Sequence, residues 1–213
     1  MSDSAEKFLT ATERRQIEAR IAEAKKHTSG EIVVMVVPSS YHYPLATMLG
    51  SLLLAILLGI AATFLSRNES IWFFLPVFGV SFMLFHELIK RIDIIKRVFV
   101  TASDMKGEVD EAAIQSFYHR KINHTVAHTG ILIYISLFEH KVRVIADKGI
   151  NEKVPQDLWQ EIVNIIIRGI SGKKHGNAIA AAIDRCGEIL SSHFPAKLED
   201  RNELGNEVII GRG

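Results

Sequence analysis

Two long runs of uncharged residues stand close together in the first half of this 213-residue chain. The first, residues 45–65, is 21 residues long, and the second begins at residue 71 and stays largely apolar to residue 89. An α-helix of about 20 residues crosses a hydrocarbon core of about 30 Å. We therefore expect transmembrane helices over about 45–65 and 71–89. Only residues 66–70 separate them, so the two helices must form an antiparallel hairpin.

Each run leaves an alternative interpretation. The second run carries His86 and Glu87 near its end, so a spanning helix would place this pair at the level of the lipid headgroups. A re-entrant or interfacial segment is the alternative for that run. For both runs together, the alternative is a helical hairpin buried within a soluble protein.

Basic residues near the spans predict how the hairpin is oriented, because Lys and Arg resist translocation. The connector contains only Arg67. Four basic residues follow the second span: Lys90, Arg91, Lys96 and Arg97. Both termini are therefore expected on the cytoplasmic side, with the connector outside.

Charge and cysteine usage exclude other classes of protein. The chain has 25 Lys and Arg against 24 Asp and Glu, and this balance lacks the positive footprint of a nucleic-acid binder. The first thirty residues are rich in charge, unlike a secretory signal. Cys186 is the one cysteine, so no intrachain disulfide forms, and its apolar neighbours predict a small buried side chain rather than a nucleophile.

The sequence on both sides of the hairpin predicts one split domain, made of residues 1–40 and 95–194 around a hairpin of 41–94. Residues 195–213 form a polar tail with no predicted structure. The fold class is α/β, an α/β/α sandwich around a small mixed β-sheet, interrupted by the two-helix transmembrane hairpin. The predicted elements are a helix capped by Thr10 or Thr12, a strand over 31–37, a helix from Ser103 or Asp104, strands over 131–137 and 141–147, a helix opening at Pro155, and a last helix over about 177–194.

The order of the strands predicts where polar residues meet. The short turn before residue 141 implies that the second and third strands are antiparallel, with the third nearer a sheet edge. The hairpin leaves the carboxyl end of the first strand, so that end should face the bilayer. If the first two strands are parallel, Glu139 and His140 lie at that end. Glu31, Thr129–Gly130 and Asp147 then gather at the opposite edge, where a polar site can assemble.

Several stretches resemble the TPM-domain family. They are SGEIVVMVV (29–37), TGILIYISLFEHKVRVIADKGI (129–150), Pro155 with Trp159, and HFP…NEL (193–195 and 202–204). The resemblance covers most of the chain outside the hairpin and is nearest to the bacterial subgroup whose domain is split by a membrane hairpin. It places the chain in the bacterial cytoplasmic (inner) membrane.

This resemblance implies acid-phosphatase-like activity and a divalent metal such as calcium, bound by acidic residues beside the glycine that opens the second strand. Here that stretch, residues 125–130, contains no acid. The glycine-rich turn after the third strand is also altered, and it keeps Asp147 beside Lys148. The resemblance alone suggests a cofactor, and the residues themselves predict no metal site.

A small set of residues could still support phosphoester hydrolysis. Asp147 would be the nucleophile or general acid, Lys148 or Arg143 would hold phosphate, and Glu31 would complete the polar edge. Further candidate ligand-binding residues are Thr125, His128, Thr129 and Arg143. The structural alternatives are that Asp147 is a turn residue at a strand end and that Glu31 is an exposed strand end. For the histidine cluster around His128, with His119 and His124, the alternative to metal binding is a solvated helix end.

Two functions therefore remain. The first is a membrane-anchored binding or accessory module for a membrane protein complex or its maintenance, with the lipid bilayer and another membrane protein as partners and no nucleic acid. The second is a divergent phosphoester hydrolase at the membrane-distal strand edge.

Overall fold

A computed structural model describes residues 2–172, 174–196 and 202–211. The chain divides into two compact units. The first comprises Met1–Tyr41 and Lys106–Gly213, and the second comprises His42–Met105. The second unit thus extends beyond the hairpin boundaries expected from sequence.

Nine α-helices and one 3-10 turn occur in the described part of the chain. In order, they are α1 (Ser2–Phe8), α2 (Ala11–Lys25), α3 (Pro44–Ser66), α4 (Ile71–Arg91), α5 (Asp93–Val98), α6 (Ala102–His119), a 3-10 turn (Ile122–His124), α7 (Lys148–Asn151), α8 (Gln156–Ser171) and α9 (His175–His193). Thr10 caps α2 in a capping box with Glu13, which confirms one of the two predicted caps. Helix α6 begins earlier than expected, because the Thr101 hydroxyl accepts the backbone N–H of Asp104 at 3.1 Å.

The sheet of the first unit has four strands, β1 (Glu31–Val37), β2 (Gly130–Ser136), β3 (Lys141–Ala146) and β4 (Ile209–Ile210). They lie in the order β3-β2-β1-β4. β1 runs parallel to β2 and β4, and β2 runs antiparallel to β3. The mixed sheet, the parallel pair and the edge position of β3 are as predicted. β4 was not predicted, because residues 195–213 were expected to have no regular structure. Residues 197–201 and 212–213 of that tail lie outside the described residues.

Alternate residues of β1 and β2 face opposite sides of the sheet, and both strands are buried throughout. One side packs against α2, α8 and α9, and the other packs against α6 and the 3-10 turn. This arrangement is the predicted α/β/α sandwich. Cys186 of α9 lies fully buried in the first layer, where burial raises the pKa of its thiol to about 12. The thiol is therefore a structural group and not a nucleophile.

The second unit contains the predicted hairpin. α3 has 23 residues and α4 has 21, and both are long and apolar enough to cross a membrane. They pack closely, since a Cβ on Gly59 would meet the Phe74 ring at 2.6 Å. Only 22% and 6% of their most apolar windows are buried. A helix in the core of a soluble protein would be covered on most sides, so this exposure argues against the buried-hairpin alternative.

Candidate functional site

The strand register brings three of the predicted polar residues to one edge of the sheet. Glu31 is paired with Gly130 across β1 and β2. The backbone N–H of Asp147 donates to the Gly130 carbonyl at 2.9 Å, directly after β3. Glu31 and Asp147 are therefore two strand spacings apart, about 9–10 Å. This edge is the place where the sequence predicted a polar site.

Glu31 holds the C-terminal segment at this edge. Its carboxylate is buried, forms an ion pair with Lys25 Nζ at 2.5 Å, and accepts the backbone N–H groups of Glu203 at 2.9 Å and Leu204 at 3.4 Å. The expectation of an exposed strand end is thus wrong. All of these partners belong to the protein itself, so the carboxylate has a structural role at this edge.

Lys25 completes this arrangement from the end of α2. Its ammonium also donates to the Asn202 side-chain oxygen at 3.0 Å and to the Leu204 carbonyl at 2.7 Å. Burial lowers the pKa of Lys25 below its ordinary value, although the bond to Glu31 opposes the shift. We call Lys25, Glu31 and residues 202–204 the tail clasp. Sequence reasoning noted NEL as a motif but gave it no role, and it missed Lys25.

The loop before β2 is tied down by its own hydroxyl groups. Thr125 Oγ1 accepts the backbone N–H of Thr129 at 2.9 Å, and Thr129 Oγ1 donates to the Ser29 carbonyl at 2.8 Å. Both threonines are buried. The Glu203 carboxylate accepts the backbone N–H of Val126 at 3.0 Å, which joins this loop to the tail clasp. The two threonines predicted as ligand-binding residues therefore hold the loop in place.

Asp147 and His128 form a partly exposed pair at this edge. His128 Nδ1 lies 3.2 Å from Asp147 Oδ2, and the imidazole is 63% exposed whereas the carboxylate is 11% exposed. The other carboxylate oxygen accepts the backbone N–H of Lys148 at 2.7 Å and so caps α7. The structural interpretation of Asp147 as a turn residue is thus correct in part. The pair can also exchange a proton with a molecule bound beside it.

Of the two predicted phosphate-holding residues, Arg143 lies away from Asp147. Arg143 Nε lies 3.2 Å from Asp110 Oδ1 of α6. Arg143 is four residues before Asp147 along an extended strand, which separates their backbones by about 13 Å. Lys148 is exposed and lies 3.9 Å from Glu152. A cavity of about 540 Å³ adjoins Asp147 and Lys148. No cluster of three or more His, Cys, Asp or Glu side chains that could hold a metal occurs among the described residues.

A second polar cluster, which sequence reasoning did not anticipate, lies at the opposite edge. Glu139 is buried there and accepts the Ser39 hydroxyl at 3.2 Å, the Ser40 N–H at 3.1 Å and the Ser136 hydroxyl. The Tyr134 hydroxyl lies 3.3 Å from Ser40 Oγ, and burial raises the pKa of this phenol above its ordinary value. These bonds fix residues 39–40 just after β1 ends.

The glycine that opens β2 is a testable part of the site. A Cβ on Gly130 would collide with the backbone carbonyl of Ile122, which cannot move aside as a side chain would. We expect Gly130→Ala to lower the free energy of unfolding by about 1–3 kcal/mol. Gly107 of α6 is the matched control, because its Cβ would meet nothing within 4 Å. There an alanine should stabilise the helix by about 0.5–1 kcal/mol. Urea unfolding of the detergent-solubilised chain measures both, and equal effects would contradict the close approach.

Comparisons with known proteins agree with this architecture. Residues 94–189 match the family model of the TPM domain. An NMR structure of the BA42 protein from the psychrophilic bacterium Bizionia argentinensis is similar with a TM-score of 0.61 and 22% identity, covering 96% of each chain. At this identity the likeness concerns the fold alone. No curated protein matches the chain significantly. The TPM-domain match thus covers residues 94–189, slightly less than half of the chain, and the likeness to BA42 extends the shared fold over nearly all of it.

Proposed function

We propose that the protein is a membrane-anchored binding module that acts as an accessory to a membrane protein complex. The exposure of the two apolar helices is the observation that carries this proposal. Exposed apolar surface on this scale is costly in water and favourable in a bilayer. Basic residues after α4 favour a cytoplasmic location for both termini, in the bacterial inner membrane.

The polar edge also supports a binding role over a catalytic one. Of the residues predicted to act there, Glu31 is engaged by the tail clasp, and Thr125 and Thr129 bond to backbone groups. These three residues make structural contacts, and of the predicted catalytic residues Asp147 and Lys148 remain beside a cavity. A folded surface displayed beside a membrane remains, which is what an accessory module requires.

Photocrosslinking in intact membranes tests the binding role. A photoreactive amino acid is placed in turn at exposed positions of the first unit, such as Val126 and Tyr118, in the full chain. We expect discrete crosslinks to one or a few membrane proteins. A uniform absence of crosslinks from all surface positions would contradict the proposal.

A reporter fused after Gly213 tests the orientation of the hairpin. Reporter activity confined to the outside of the cytoplasm would overturn the cytoplasmic location of the C-terminus.

A phosphoester hydrolase is the second candidate, favoured by the Asp147–His128 pair and the adjoining cavity. A phosphatase screen of the full chain, with and without divalent metals, tests it. Turnover that disappears in both Asp147→Asn and His128→Gln would make hydrolysis the main function. We expect the phosphatase turnover of the natural chain to be no higher than that of these two variants. Lys148→Met is the control, because the exposed ammonium can be removed without disturbing the pair.

A further inference from the structure

Strand β3 leaves one edge of the sheet open. The strand order places it at the end of the sheet, opposite β4. Its six residues are half-buried or exposed, whereas β1 and β2 are buried throughout. An open edge presents backbone N–H and C=O groups to any strand that can reach them.

The hydrogen-bond register identifies which backbone groups face outward. The Asp147 N–H donates to the Gly130 carbonyl, so the backbone groups of Asp147 face β2. The Leu137 N–H, just after β2, donates to the Val37 carbonyl on the β1 side. In an antiparallel pair, successive residues alternate between facing the partner and facing away. The outward-facing residues of β3 are therefore Val142, Val144 and Ala146. The Ala146 carbonyl accepts Asn151 Nδ2 at 2.6 Å, whereas no hydrogen bond from the described residues reaches the outer side of Val142 or Val144.

A groove of about 510 Å³ follows this edge along the whole of β3. Val109 and Ile114 of α6 line one side, and Trp159 and Val163 of α8 line the other. The indole of Trp159 is 7% exposed, and its N–H has no acceptor among the described residues. A buried indole N–H normally finds a partner, so this donor is a second sign of an absent ligand.

The charge of the groove indicates the chemistry of that ligand. Lys106, Lys141 and Arg143 line it together with one carboxylate, Asp110. We propose that a partner protein adds an extended segment to β3 as a further strand, with acidic side chains at alternate positions. Backbone bonds to Val142 and Val144 would provide affinity, and the basic residues would select the sequence. This inference rests on the proposed binding function and specifies its mode of recognition.

A second copy of the chain fits this edge less well in the register that centres the two strands on Arg143. An antiparallel pair that bonds Val142 of one copy to Val144 of the other places Arg143 directly opposite its own equivalent. Like charges directly opposite each other destabilise a strand pair. An acidic segment places an opposite charge there.

A random peptide library displayed on phage tests the proposal against the full chain in lipid nanodiscs. We expect enriched peptides to alternate apolar and acidic residues. Synthetic versions are then titrated by fluorescence polarisation against Val144→Pro, which removes one outward N–H and leaves the β2–β3 bonds intact. We expect affinity to fall about tenfold or more. The matched control Val144→Thr keeps the N–H and the side-chain shape, so its affinity should change less than about threefold.

Circular dichroism checks that the proline variant is folded, and Lys141→Glu decides the question if it is not. This charge reversal leaves the backbone unchanged and should weaken acidic peptides. The proposal is overturned if no peptide is enriched over empty nanodiscs or if lysine-rich peptides are selected. It is also overturned if Val144→Pro and Lys141→Glu both bind the acidic peptides as tightly as the natural chain does. A dimer that Val144→Pro dissociates would also overturn it, in favour of self-pairing.

The two proposals fail separately. If photocrosslinking finds a partner that Val144→Pro still binds, the binding function stands and the β3 site is wrong. If peptides bind β3 but no crosslink forms in membranes, the edge is real and the membrane accessory role is wrong.

Discussion

Replacing Glu31 with alanine is expected to lower the free energy of unfolding by about 3–5 kcal/mol. The substitution leaves the Lys25 ammonium buried beside no carboxylate, and it also removes the acceptor of the Glu203 and Leu204 N–H groups. A buried charge that loses its partner retains its full desolvation cost. The tail should consequently detach, and hydrogen exchange over residues 202–211 should accelerate before the rest of the domain unfolds.

Two controls separate this effect from a general loss of charge. Glu23→Ala breaks the exposed Glu23–Lys26 pair at the C-terminal end of α2 and should lower the free energy of unfolding far less than Glu31→Ala does. The double variant Lys25→Met with Glu31→Leu removes both buried charges and should be more stable than Glu31→Ala alone. Urea unfolding of the solubilised chain measures each. A Glu31→Ala variant as stable as Glu23→Ala would contradict a structural role for the tail clasp.

The tail clasp also shows why sequence reasoning stopped short at this site. The position of Glu31 at a sheet edge follows from strand order, because neighbouring parallel strands begin at the same end. Its partners do not follow, since the Glu203 N–H lies 172 residues away in sequence. No local pattern predicts which distant segment will satisfy a buried carboxylate. Its place at the predicted polar edge made Glu31 a candidate catalytic residue when it was considered alone.

β4 was missed for a related reason. A strand of two residues has no periodicity to detect, and Ile209–Ile210 is a strand only because it pairs with Met35 and Val36. The Gly211 N–H then donates to the Val36 carbonyl at 2.8 Å. By contrast, the apolar runs over 31–37 and 131–137 predict two strands, and β1 and β2 confirm both.

Arg143 shows the limit of grouping candidate residues by their distance in sequence. It is close to Asp147 along the chain, but an extended strand separates residues by about 3.3 Å each. Arg143 therefore contacts Asp110 of α6. His128, which lies in the loop before β2, instead reaches Asp147. Both residues were candidate ligand-binding residues by sequence, and only the packing of the elements distinguishes them.

An arginine at Leu57 is expected to prevent stable insertion of α3 into the membrane. Leu57 lies near the middle of this helix and is 55% exposed, so its side chain has no protein surface to cover it fully. An arginine at the centre of a transmembrane helix costs about 2.5–3.5 kcal/mol. Because only four residues join α3 to α4, a failure of the first helix should also remove the second. The Leu57→Arg chain should then move from the alkali-resistant membrane fraction to aggregates or degradation products.

The matched control places the same residue outside the apolar region. Asn68→Arg adds an arginine to the connector beside Arg67, where water or headgroups can solvate it. Leu57→Ala tests the loss of the leucine without the charge. Both should remain in the membrane fraction at close to the natural level. If Leu57→Arg stayed soluble, monodisperse and folded without lipid or detergent, α3 and α4 would not be membrane spans, because only a hairpin covered by protein could tolerate water in this way.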